Sequence, residues 1–201
     1  MLDRTERQKA LKKLGFYKGE INGLWDAQTK EAVYKFQKKY MPKKYWDGGK
    51  YTSNVDKWLV SAERVDRLAP HFKIEEFECQ CKGKYCTGMP DYLNENLLRM
   101  LEDTRVYFKK PMTITCGERC SKQNASKSGS VSFSYHETGD AADFAILPMT
   151  NSVANRRQIK SYLKKKRGFN FTYCYDPQST NWREKNATYM GNAIHVQVNR
   201  K

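Results

Sequence analysis

The sequence predicts an α+β protein in which a small helical N-terminal unit precedes an α+β domain with a small antiparallel sheet. Three observations predict it. Helical periodicity broken by glycine-rich turns fills the first third of the 201 residues. A breaker at Pro70 follows, then a long helical repeat and three short β-rich runs. Hydrophobic residues at 39% and aromatics at 13% are enough for a core, which excludes a globally disordered chain.

The elements follow in order. In RTERQKALKKLGF, Leu11, Leu14 and Phe16 make a short apolar face. Glycines 15, 19 and 23 suit tight turns. Asp26 is placed to cap a helix carrying Ala32, Val33, Phe36 and Tyr40 at helical spacing. VDKWLVSAERV reads as a further helix, and the domain boundary falls near residues 66–72, giving units 1–66 and 67–201. Leu93, Leu97, Leu98, Met100, Leu101 and Val106 predict one long helix. PMTITC, ADFAIL and AIHVQV read as strands, and NSVANRRQIKSYLKKK as a basic amphipathic helix.

Lys and Arg number 37 against 22 Asp and Glu, a formal charge of +15. That balance favours a polyanionic partner. No apolar run approaches the roughly 20 residues that span a bilayer, and the charged start lacks the apolar stretch of a secretory signal. Cytoplasmic synthesis is therefore expected. The six cysteines are Cys79, Cys81, Cys86, Cys116, Cys120 and Cys174. The spacing C-x-C-x4-C is not a common paired zinc spacing, so free thiols rank first, a cysteine-held zinc second and disulfides last.

One stretch carries chemistry. SYHETGDAADFAI sets His136 seven residues before Asp143, which opens an apolar strand. A carboxylate in such company wants a cation or several donors. In AIHVQV, alternation puts His195 and Gln197 on one face and Ile194, Val196 and Val198 on the other. Two histidines and an aspartate on neighbouring strands could share one zinc. By spacing alone, a satisfied histidine and a turn aspartate explain the pattern equally well.

Two resemblances extend this reading. LGFYKGEINGLWDAQTKEAVYKFQKKY resembles the three-helix peptidoglycan-binding domain at Leu14, Gly15, Phe16, Gly19, Ile21, Asn22, Gly23, Trp25, Thr29, Ala32, Val33, Phe36 and Gln37, with Asp26 where that family usually has glycine. Tyr17, Trp25, Thr29 and Gln37 are its candidate wall contacts. SYHETGDAAD is similar to the Ser-x-His-x-x-Gly-x-Ala-x-Asp motif of the M15-type zinc peptidases, the D-alanyl-D-alanine carboxypeptidases and L-alanyl-D-glutamate endopeptidases. CGERC matches that family's upstream segment at Gly117 and Arg119, and Ile194, His195, Val196 and Val198 match its final ligand strand. The resemblance implies one catalytic Zn2+ on His136, Asp143 and His195, with Arg119 steadying a carboxylate or oxyanion and Ser134 contacting substrate. A zinc so held activates water near neutral pH and polarises the scissile carbonyl.

The match departs at one position. Asn192 stands where the family has its acidic general base, and an amide cannot accept that proton. Glu184, Asp176, Glu137 and Asp140 are the substitutes within the sequence. The expectation is a monomeric, endolysin-like hydrolase of peptidoglycan stem peptides. It would act on the wall after release from the host cytoplasm, drawn to anionic wall polymers, with neither nucleic-acid binding nor membrane insertion. The competing expectation is a catalytically impaired wall-binding protein that keeps the zinc site.

Overall fold

The computed structural model describes residues 2–88, 90–127 and 132–200. Its helical N-terminal part comprises α1 (Arg4–Lys13), α2 (Ala27–Tyr40) and α3 (Ser53–Leu68). Asp3 caps α1 in a capping box with Glu6. Asp26 caps α2 as expected, accepting from the Thr29 amide at 2.8 Å. Helix α3 buries Val55, Trp58, Leu59, Ala62, Val65 and Leu68, and packs on α1 on one side and on α4 (Glu95–Phe108) on the other.

The remaining elements are β1 (Thr113–Cys116), α5 (Ser121–Ala125), β2 (Ala141–Ala145), α6 (Val153–Leu163), β3 (Phe169–Cys174), α7 (Trp182–Asn186) and β4 (Ile194–Val198). The four strands form one antiparallel sheet in the order β1-β2-β4-β3. Leu97, Leu98 and Leu101 of α4 and Ile159 and Leu163 of α6 join Ala142, Phe144, Ile194 and Val196 of the sheet in one core. Among the described residues, no helix is long and apolar enough to cross a membrane.

Three details differ from the sequence expectation. Strand β3 is a fourth strand beyond the three that the sequence predicts, and its Phe169, Phe171 and Tyr173 alternate with Asn170, Thr172 and Cys174. Helix α4 begins at Glu95, because Asn94 turns its side chain onto the Asn96 amide and caps there, leaving Leu93 outside the helix. Val106 stays half exposed, off the buried stripe of α4.

The sheet register matters most for function. Cys116 pairs with Asp143, Asp143 with His195, and His195 with Tyr173. Directly opposed residues of antiparallel strands project to the same face. Four chemically capable side chains therefore form one row across all four strands. The neighbouring row, which includes Phe144, Ile194 and Cys174, is wholly buried.

Candidate metal centre

His136 reaches this row from a 3-10 turn, Tyr135–Thr138, that precedes β2. Ser134 caps the turn in a capping box with Glu137, accepting from the His136 amide, and Gly139 ends it with φ +67°. A Cβ on Gly139 would lie 1.8 Å from the Tyr92 carbonyl oxygen, and the Gly139 carbonyl accepts from the Asn94 amide. The motif glycine is thus fixed by both backbone conformation and close approach. Gly117 is equally constrained, since a Cβ there would lie 2.4 Å from the Phe77 Cα.

The three candidate ligand atoms converge. Asp143 Oδ1 lies 2.8 Å from His195 Nδ1 and 3.4 Å from His136 Nε2, and those two nitrogens are 3.3 Å apart. The outer nitrogens fix the tautomers. His136 Nδ1 lies 2.7 Å from the Gly117 carbonyl oxygen, which can only accept, so Nδ1 carries the proton and neutral Nε2 keeps its lone pair. His195 Nε2 lies 3.1 Å from Gln197 Oε1. The Gln197 amide is oriented by donating its own Nε2–H to Asn170 Oδ1 at 2.7 Å, which turns its oxygen toward the imidazole. His195 therefore presents its Nδ1 lone pair inward as well.

Two lone pairs and a carboxylate oxygen thus meet with no donor among them. Only a cation, or a proton added to an imidazole, relieves that arrangement. The donor set fits Zn2+, which takes imidazole nitrogen and carboxylate oxygen, and outer hydrogen bonds of this type orient such ligands. Burial would raise the Asp143 carboxyl, but in the metal-free cluster a proton added to the imidazoles outweighs it, through the His136 charge and hydrogen bonds to the carboxylate, and holds the group well below the usual carboxylate range; a cation at the same point acts in the same sense.

Gln197→Ala removes the outer acceptor of His195 without touching the three ligating atoms. Loss of such a partner costs roughly 10- to 100-fold in metal affinity or activity. Competition with a zinc chelator should register a fall of that size, and Gln197→Glu, which restores an acceptor, should recover most of it.

The remaining predicted residues fall in different places. Arg119 lies beside the site: its amide donates to the His136 carbonyl at 3.0 Å and its Nη2 to Ser134 Oγ at 3.4 Å, while its buried Nε has no partner among the described residues. Asn192 is exposed and donates to Asn151 Oδ1 at 2.8 Å. The four substitute carboxylates are already held by donors. Glu184 pairs with Lys160 and Ser179, Asp176 with Arg157, Glu137 with Asn124, and Asp140 with Asn94 and Thr138.

Three of the four candidate wall contacts are interior, which corrects the expectation of direct contact. Tyr17, Thr29 and Gln37 are buried. Tyr17 and Thr29 serve a network around Gln8, whose amide bonds Asn22, Gly23, Leu24 and Thr29, while Gln37 holds the 47–50 loop through Asp47 and Lys50. Only Trp25 reaches the surface, half-buried against Tyr51.

Two neighbours of the site were not foreseen. Cys116 Sγ lies within 4.8 Å of the ligating atoms of His136 and Asp143, with its thiol pushed up to about 12 by burial and then by the Asp143 charge. The Tyr173 ring lies 4.9 Å from that of His195, and its hydroxyl is 3.2 Å from that of the exposed Tyr189. The alternation of β3 was the signal that could have found Tyr173. Cys116 is visible only through the pairing of β1 with β2.

Comparison with known families decides the classification. The peptidase M15 family model matches residues 70–180, over half of the chain. The chain belongs to the peptidase M15 family. A peptidoglycan binding domain model matches residues 2–43 of this M15 peptidase. The two together support a peptidase that acts on peptidoglycan. No curated protein matches the chain. His195 lies outside the M15 match and reaches the site through the pairing of β4 with β2.

Proposed function

We propose that this M15 peptidase is an endolysin-like, zinc-dependent hydrolase of peptidoglycan stem peptides, cutting at L-Ala-D-Glu or at a D-Ala bond. His136, Asp143 and His195 hold the metal. The observation that carries the reading is the convergence of their three lone-pair atoms with both outer imidazole nitrogens tied. A zinc ion held there supplies Lewis acidity toward the scissile carbonyl and a water activated near neutral pH. Arg119, with an uncommitted buried Nε beside the site, binds a substrate carboxylate or the developing oxyanion. Ser134 steadies that guanidinium.

The two family matches, at residues 2–43 and 70–180, support a division of labour. Residues 1–66, with α3 running on to Leu68, bring the chain to the wall, and the part that follows cuts it. The charge of +15 attracts anionic wall polymers, an effect that salt screens. Trp25 is the surface contact of the wall-binding part. Asn192 favours a second reading, a wall-binding protein with impaired catalysis, because no carboxylate occupies the position of the proton acceptor.

Mass spectrometry of purified peptidoglycan digested with the zinc-loaded chain separates these readings. Cleavage at L-Ala-D-Glu frees peptides with a new N-terminal glutamate, and carboxypeptidase action shortens stems by one D-alanine. Stems left intact while the chain still sediments with the wall would establish the binder and overturn the enzyme.

A further inference from the structure

A second cluster lies outside the catalytic row. Cys79, Cys81, Cys86 and Cys120 place their four sulfur atoms within 4.8 Å of one another, with Cys81 Sγ and Cys86 Sγ 3.3 Å apart. All four thiols are free, and 3.3 Å is far beyond the roughly 2.05 Å of a disulfide. Zinc–sulfur bonds of about 2.3 Å in a tetrahedron set sulfurs about 3.8 Å apart, and the cluster is of that size. A redox pair would require two of these sulfurs. Here four meet, and the fourth comes from a distant part of the chain.

Three backbone amides point at the sulfurs. The Gly88 amide donates to Cys86 Sγ at 3.2 Å, the Cys120 amide to Cys79 Sγ at 3.4 Å, and the Gln123 amide to Cys120 Sγ at 3.4 Å. Hydrogen bonds to the charged form favour it. The loop from Cys79 to Gly88 has no helix or strand and is closed by the Cys79 amide on the Gly88 carbonyl at 2.8 Å. Lys82 and Gly83 take positive φ there, turning the chain so that sulfurs at 79, 81 and 86 face one point. A cleft whose wall includes Cys86, Cys120, Glu118 and Glu137 gives an ion a way in.

We infer that Cys79, Cys81, Cys86 and Cys120 bind a structural Zn2+ as a tetrathiolate site, separate from the catalytic centre. Its closed set of four protein ligands leaves no position for water, so it does no chemistry. Its effect is mechanical. Cys120 directly follows Arg119 and lies three residues from Gly117, whose carbonyl fixes the tautomer of His136. The metal adds a tie from the 79–88 loop, which Trp58 and the Thr115 carbonyl also hold, to the segment that carries both.

The inference stands apart from the catalytic reading, and the test keeps them separate. The full-length reduced chain is stripped of metal and refilled with cobalt(II), and zinc content is measured in parallel on protein grown with zinc. Wild type should hold about two zinc ions per chain and show the thiolate-to-cobalt charge-transfer absorption of a sulfur-rich site. His136→Ala should fall to about one ion and keep that absorption, whereas Cys81→Ser should fall to about one and lose it. Absence of the absorption in wild type, its survival in Cys81→Ser, or its loss in His136→Ala would overturn the tetrathiolate site. An unchanged zinc content in His136→Ala would instead count against the catalytic metal. Should Cys81→Ser not fold, alkylation of wild type decides: thiols 79, 81, 86 and 120 should be protected until a chelator is added. Labelling of all four in zinc-loaded protein, or a disulfide among them, would refute the site.

Discussion

His136→Ala is expected to lose the catalytic zinc and, with it, cleavage of soluble muropeptide. The ligating atoms of His136, Asp143 and His195 lie within 3.4 Å of one another, so removing one leaves a two-ligand remnant that cannot complete a zinc shell. Loss of an outer partner alone costs roughly 10- to 100-fold, and loss of a ligating atom should exceed that range. The segment holding His136 keeps its other supports. The Ser134 cap, the Arg119 amide on the His136 carbonyl and the Asn94 amide on Gly139 all use backbone at residue 136 or groups elsewhere. The variant should therefore fold, and circular dichroism together with zinc content and turnover separates lost metal from lost structure. Sedimentation with wall fragments should persist in the variant, because residues 1–66 are untouched. A folded His136→Ala that still cleaves at more than about one hundredth of the wild-type rate would sink the assignment of His136 as a ligand.

How much of this was legible in the sequence depends on which residues are considered. Helices α1, α2, α4 and α6 announced themselves through apolar spacing, and Asp26 through its position before that spacing. His136 and Asp143 sit in one short motif, whose Gly139 is held by a carbonyl 1.8 Å from its absent Cβ. The row Cys116–Asp143–His195–Tyr173 could not be read, because it depends on register across three strand pairs and a bulge between Ile114 and Cys116. The same limit hid the meeting of Cys120 with Cys79, Cys81 and Cys86, since the distance that matters is in space. Motif matching also misplaced the wall contacts. Thr29 and Gln37 match the resemblance as scaffold, and Tyr17 beside them is scaffold too: each spends its polar atoms on loop backbone or on Gln8. Buried polar groups need partners, and a pattern of residue types does not distinguish that need from a binding role.

Trp58→Ala should be the most destabilising single substitution outside the metal sites. Trp58 is fully buried in α3, and its indole Nε1 donates to Thr87 Oγ1 at 3.2 Å, in the loop that carries the cysteines. Truncating a buried tryptophan costs about 3–5 kcal/mol through lost burial and the cavity left behind. The indole lies within the first 66 residues, yet its partner lies beyond them, and α3 packs on α4 as well as α1. One buried cluster runs from Leu11 and Phe36 through Trp58 and Leu59 to Leu97, Phe144 and Val196. The wall-binding and peptidase parts are thus expected to unfold together. Denaturant unfolding at fixed zinc concentration, followed by both tryptophan fluorescence and far-ultraviolet circular dichroism, should give coincident curves. In Trp58→Ala both should move by the same 3–5 kcal/mol, about the cost of the truncation. Trp58→Phe, which keeps a ring and loses the donor, should fall between. Two separate transitions, with only the first displaced, would mean that the core divides at the end of α3 and that the helix belongs to the wall-binding part alone. A chain cut at residue 66 tests the same point from the other side. Losing α3 uncovers the α4 face that it packs against, so residues 67–201 alone should be less stable than the same residues in the full chain.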